Sequence, residues 1–262
     1  MNQIQMTILG ISVIFVATTL GSALVYFFKK DISQKTNTLF LGFASGIMIA
    51  ASIWSLLIPA LDGASSYGKL KVLPVALGFI LGGGFLVFLD KVVPHFHHGI
   101  EKEEGPKNNL KKSTKLFLAV TLHNIPEGLA VGFAFGAASA TGDISAYISA
   151  LGLAIGIAIQ NFPEGAAVAL PMKTETNSNT KAFLYGAGSG IVEPVAAILG
   201  YFLASQLITL QPWLLAFAAG AMIFVVAEDL IPDAKMEENP HLGTWALMIG
   251  FVIMMVLDVV LG

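Results

Sequence analysis

Eight stretches of this chain, approximately 6–28, 38–61, 72–93, 116–139, 144–171, 182–205, 213–232 and 243–261, run for about twenty residues or more with no more than two charged side chains in any of them. A helix of that length crosses about 30 Å of hydrocarbon, and inside lipid only helices and closed barrels satisfy their own backbone groups. None of the runs shows the alternation of a barrel strand. The sequence therefore reads as an all-α polytopic membrane protein with eight transmembrane helices, a single transmembrane domain over residues 1–262. Composition agrees: 12% of the residues are charged, about half of the roughly 25% usual in soluble domains.

The few charges are sorted. All 14 basic residues are lysine and cysteine is absent, which removes arginine clamps, thiolate metal sites and disulfides. A net charge of −3 without basic clusters gives no electrostatic basis for nucleic-acid binding, and no Walker motif is present to bind ATP. The first run lacks a basic leader and is followed by Lys29-Lys30, the wrong polarity for a signal peptide. If that helix starts outside, twelve lysines fall on the cytoplasmic side and only Lys69 and Lys71 outside, so the positive-inside rule predicts both termini outside and a cytoplasmic-membrane location. The longest loop, about 94–115, carries His95, His97 and His98 beside Glu101, Glu103 and Glu104. It reads as a solvated linker, the alternative being a weak histidine metal site.

An ionisable side chain deep in a span is expensive to insert and marks function. Run 4 contains His123-Asn124-Ile125-Pro126-Glu127-Gly128 and run 5 contains Gln160-Asn161-Phe162-Pro163-Glu164-Gly165, the same N-x-P-E-G core 37 residues apart. His123 and Glu127, like Gln160 and Glu164, are i,i+4 neighbours on one helix face. Two such faces opposed would gather an imidazole, two carboxylates and amide oxygens, a divalent-cation site. Pro126 and Pro163 remove the donors for the carbonyls of Leu122 and Ile159, which could then face an ion. Run 6 adds Glu193, beside Pro194, which could bridge two metal positions. Oxygen donors with one imidazole suit Zn²⁺, Fe²⁺, Mn²⁺ or Cd²⁺ better than Cu⁺. Met48 is a candidate soft ligand, with packing as its plainer role.

A short internal match hints at a repeat. Leu57-Ile58-Pro59 near the end of run 2 parallels Leu230-Ile231-Pro232 in run 7, and Leu89-Asp90 parallels Leu257-Asp258. Helices 1–3 and 6–8 would then be two copies of opposite orientation around helices 4 and 5, a 3+2+3 plan found in secondary transporters. On this topology Asp62 and Asp258 lie at the outer rim, with Asp90, Glu228, Asp229 and Asp233 at the inner rim.

The pair HNIPEG and QNFPEG, followed by SGIVEP, resembles the Zrt/Irt-like (ZIP) family of metal transporters, especially its bacterial short-loop branch. The resemblance covers the whole chain. It implies import of Zn²⁺, and variably Fe²⁺, Mn²⁺ or Cd²⁺, through a binuclear midplane site, with the metal as cargo and no catalytic cofactor. It assigns His123, Gln160 and Glu164 to a primary position with Met48 close by, and Asn124, Asn161 and Glu193 to a second, with Glu127 shared. It further implies a homodimer in which helices 1, 4, 5 and 6 slide against 2, 3, 7 and 8. Gln160 and Asn161 depart from the commoner pattern, where histidine and an acidic residue stand, and both changes remove a strong ligand. The competing readings are an intramembrane metal-dependent hydrolase, disfavoured by the absence of H-E-x-x-H, and a proton or sodium carrier using the same carboxylates.

Overall fold

The computed structural model describes residues 1–28, 33–97, 102–106 and 109–261. Lys29, Lys30, Lys107, His98 and Glu101, to which the sequence reading refers, lie outside them. Eight helices are long and apolar enough to cross a membrane: α1 Gln3–Tyr26, α2 Gln34–Gly63, α3 Val72–Val92, α4 Thr114–Thr141, α5 Ile144–Thr176, α6 Asn179–Gln206, α7 Ile208–Asp233 and α8 Pro240–Leu261. Each overlies one apolar run. The largest mismatches are at the end of α5, which continues to Thr176, and at the start of α7, which begins at Ile208. There the chain keeps its helical hydrogen bonds beyond the apolar stretch.

Between α3 and α4, where a solvated linker is expected, β1 (His95–His97) and β2 (Lys102–Glu104) pair as a short antiparallel ribbon. Phe96 stands opposite Glu103, and the ladder satisfies backbone groups that a linker would leave to water.

The helices pack as four close pairs: α1 with α5, α4 with α6, α2 with α8, and α3 with α7. Without a hydrophobic driving force inside lipid, such pairs depend on close backbone approach at small residues. A Cβ on Gly21 would lie 1.8 Å from the carbonyl oxygen of Phe162, and one on Gly165 2.0 Å from that of Thr18, so α1 and α5 touch backbone to backbone. Gly128 and Gly132 do the same for α4 on α6, against the carbonyls of Glu193 and Ala197. In the remaining pairs Gly46 and Gly250 join α2 to α8, and Gly82 and Gly220 join α3 to α7. Further contacts link α5 to α6 and α4 to α5, gathering α1, α4, α5 and α6 around the doubled motif. The outer faces of α3 and α8 present Ile80, Phe88, Trp245 and Val260, an apolar surface fit for lipid.

Three helices are irregular. α2 contains a π-helical turn at Ser52–Leu57 and α7 one at Val226–Leu230, each ending directly before an Ile-Pro pair. Pro59 and Pro232 cannot donate to the carbonyls of Ser55 and Glu228, four residues earlier, and the wider turn lies across that gap. α6 breaks at Gly190–Ile191, between Asn179–Ser189 and Val192–Gln206. By contrast α4 and α5 run uninterrupted through Pro126 and Pro163, although each proline lacks the N–H that would complete its turn.

Candidate metal centre

The break in α6 builds one wall of the centre. The Glu193 N–H bonds back to the Gly190 carbonyl at 3.1 Å rather than continuing the α pattern, which leaves the Ser189 carbonyl without its helical donor. The side chain of Asn124 takes that role, donating from Nδ2 at 3.0 Å. Glu193 then sits in the first turn of the second half of α6, where the helix dipole favours negative charge.

The two motifs face each other across α4 and α5. Gln160 Nε2 donates to Glu127 Oε1 at 2.8 Å, and Asn161 Nδ2 donates to Glu193 Oε2 at 2.8 Å. Reversing the Asn161 amide would aim oxygen at a carboxylate oxygen, so the assignment follows from the geometry. Thr18, on α1, closes the other side of Glu193 by donating from Oγ1 to Oε1 at 2.7 Å. Asn124, Glu127, Gln160, Asn161, Glu164 and Glu193 are all buried, Glu164 being the most accessible at 7%.

Four side-chain oxygens in this cluster are buried without a hydrogen-bond partner: Asn124 Oδ1, Glu127 Oε2, Gln160 Oε1 and Asn161 Oδ1. Such atoms destabilise a folded protein by roughly 1–3 kcal/mol each unless something satisfies them. All four are acceptors. A cation satisfies a group of acceptors as no apolar side chain can, and hard divalent ions favour such oxygens. Among the described residues no three histidine, aspartate or glutamate side chains converge closely enough to hold an ion unaided. An ion placed here draws on the amides as well.

His123 and Glu164 line a cavity of about 260 Å³ that runs between the helices to Gln34, Asn37 and Lys235. His123 Nε2 lies 3.0 Å from Asp229 Oδ2, within the π turn of α7. In the neutral ring that contact places the proton on Nε2 and the lone pair on Nδ1. Sequence reading places Asp229 at a solvated rim, whereas the structure buries it against His123. Asp258, also expected at a rim, is buried in a second cavity of about 460 Å³ toward the opposite helix ends, where Ser55 donates to it. Met48 is fully buried within the main apolar cluster, the packing role expected of most methionines. Thr18 and Asp229 are therefore polar neighbours of the centre, among the described residues, that reading the motifs does not find. Their signal is weak: one of three threonines in the first run, and one of six acidic residues near span ends.

The fold and site define a class, a polytopic helical carrier with an oxygen-rich polar centre buried in the membrane and a cavity reaching it from one end. The sequence profile described as ZIP Zinc transporter matches residues 4–115 and 110–258, and the chain belongs to that family, which consists of transporters and not enzymes. The chain is 36% identical to zinc transporter ZIP11 of Xenopus tropicalis over all of its own length and 98% of that protein's. It is 39% identical to zinc transporter ZIPB of Bordetella bronchiseptica over 97% of this chain and 81% of that one. To zinc transporter GufA of Myxococcus xanthus it is 38% identical, with 94% and 95% covered. Membership sets the hydrolase reading aside.

Proposed function

We propose that this protein imports Zn²⁺ across the cytoplasmic membrane through the centre between α4 and α5. The observation that carries the reading is the set of four unpartnered buried oxygens on Asn124, Glu127, Gln160 and Asn161, beside His123 and Glu164. We assign His123, Gln160 and Glu164 to a primary position, with Met48 behind it in the core. Asn124, Asn161 and Glu193 form a second position, and Glu127 is shared between the two. Fe²⁺, Mn²⁺ and Cd²⁺ are further cargoes of this donor set, since carboxylates, amides and one imidazole select weakly among divalent ions.

In this reading both termini face outward, the cavity at His123 opens to the cytoplasm and the cavity at Asp258 to the exterior. The lysines at the ends of α3, α5 and α7 support that orientation. A membrane potential then favours inward movement of a doubly charged ion by about 4–5 kcal/mol per 100 mV if the full field is crossed.

Alternating access follows if α1, α4, α5 and α6 move as one body against α2, α3, α7 and α8, in a homodimer. Two observations support this division and the inverted repeat behind it. The close pairs α1–α5 and α2–α8 exchange with α6–α4 and α7–α3 when helices 1–3 are mapped onto 6–8 and helix 4 onto helix 5. The π turns of α2 and α7 also occupy equivalent places before Ile-Pro.

The test is uptake of radioactive Zn²⁺ into proteoliposomes, with Fe²⁺, Mn²⁺ and Cd²⁺ as competitors and a pH gradient imposed or removed. Saturable Zn²⁺ uptake inhibited by other divalent ions is expected. Uptake of protons or Na⁺ that divalent ions leave unaffected would overturn the reading.

A further inference from the structure

We propose that Thr18, on α1 and outside the ligand set, is the positioning residue that decides how tightly the second metal position holds its ion. The proposal rests on the assignment of Glu193 to that position. Glu193 is fully buried, and both of its carboxylate oxygens are engaged, Oε1 by Thr18 and Oε2 by Asn161. A hydroxyl has one proton to give. Thr18 Oγ1 also lies 3.2 Å from the carbonyl of Ile14, but its contact with Glu193 is the shorter at 2.7 Å.

Thr18 is also wedged in place. A Cβ on Gly190 would lie 2.9 Å from Thr18 Cγ2 and 3.1 Å from Glu193 Oε1, while Gly165 packs directly on the Thr18 carbonyl. The hydroxyl is thus held toward Glu193 by two helices pressed close at glycine. At the primary position Gln160 donates to one oxygen of Glu127, but Glu127 Oε2 and Gln160 Oε1 face no donor. At the second position the amide oxygens of Asn124 and Asn161 are open, but the only carboxylate it does not share is already bonded. An ion there must share each oxygen with a donor, and a carboxylate oxygen already accepting a proton gives less charge to a cation. Asn161 can turn its amide and offer oxygen instead; Thr18, confined on both sides, stays and competes.

The experiment is Zn²⁺ binding to the purified full-length chain in detergent, by equilibrium dialysis with elemental analysis, for the wild type, Thr18→Val and Thr18→Ser. Valine keeps the shape and deletes the hydroxyl; serine keeps the hydroxyl. Wild type should bind one tight and one weaker ion. Thr18→Val should tighten the weaker ion about tenfold, the scale of one hydrogen bond to a charged group, with the tight ion unchanged. Thr18→Ser, which keeps the hydroxyl but drops the methyl group held at Gly190, should fall between wild type and Thr18→Val. A weaker ion unchanged or loosened in Thr18→Val, with the tight ion retained, would overturn the proposal, as would a single ion in both chains. Thr18→Ala, which needs no more room than threonine, gives the same reading should the valine chain fail to assemble. Wild-type protein that binds no Zn²⁺ would instead sink the metal-site reading itself, a different failure from loss of the Thr18 effect.

Discussion

The HNIPEG segment of α4 and the QNFPEG segment of α5 are near copies in sequence, yet the fold treats them differently. On α4, Asn124 spends its amide on the carbonyl exposed by the break in α6, His123 reaches α7 through Asp229, and Gly128 packs on α6. On α5, Asn161 spends its amide on Glu193, Gln160 turns back to Glu127 on α4, and Gly165 packs on α1. The α4 copy is therefore tied across the molecule to a helix outside the central group, whereas the α5 copy is tied within that group. A duplicated motif supplies a matched set of donors. Its neighbours then divide the labour.

The largest effect should come from erasing the asymmetry at its polar end. His123→Gln, which makes α4 copy α5, should remove nearly all Zn²⁺ uptake in proteoliposomes, and Glu164→Ala should do the same; wild-type rates from either would discard the primary position. Next come the contacts the copies share. Gly128→Ala and Gly165→Ala place a methyl group 2.3 and 2.0 Å from carbonyl oxygens, and overpacking of this kind destabilises by about 1–3 kcal/mol. Gly84→Ala, which meets nothing within 4 Å, serves as the neutral control, and thermal unfolding in detergent compares the three.

Asp229→Asn tests the tie to α7. Loss of the group that orients a histidine ligand should weaken Zn²⁺ affinity roughly tenfold, and an unaltered affinity would mean that His123 needs no orienting partner. Gln160→His, which makes α5 copy α4, should raise the preference for Zn²⁺ over Mn²⁺ in competitive uptake; an unchanged ratio would remove Gln160 from the ligand set.

The smallest effect lies at the starts of the two helices. Asp143 caps α5: the hydroxyl of Ser145 at 2.7 Å, then its N–H at 3.1 Å, hold the carboxyl below the usual carboxylate range. Among the described residues no side chain caps α4. A carboxyl whose affinity for protons is lowered by folding stabilises the helix end above its unfolded-state pKa and ceases to do so as the pH falls through the lowered value. Protection of the amides at the start of α5, taken relative to their intrinsic exchange rates, should therefore fall under acid, and in Asp143→Ala it should be low at every pH.

Much of this was legible in the chain. Eight apolar runs coincide with eight helices because length and hydropathy alone decide a span. His123, Glu127, Gln160, Glu164 and Glu193 stand out because charge and amide inside a span need a reason. Which face meets which neighbour was not legible. In α3, α7 and α8 nearly every side is apolar, so periodicity cannot orient them, and the close approaches depend on glycines that hydropathy barely registers. The contact of His123 with Asp229 and that of Thr18 with Glu193 join residues more than a hundred positions apart. The break in α6 was signalled by Gly188-Ser189-Gly190, but its use as an acceptor for Asn124 is a tertiary fact.

The π turns of α2 and α7 carry one more consequence. A π turn holds a residue more than an α turn, and one residue is about 100° of rotation. A helical wheel drawn through Ser52–Leu57 or Val226–Leu230 therefore assigns every later side chain to the wrong sector. Deleting one residue from either turn would let the helix rewind as plain α with its far half facing as before. Within a closely packed pair, that makes a single-residue deletion there a milder change than one in a plain α turn, which would swing the far half by about 100°.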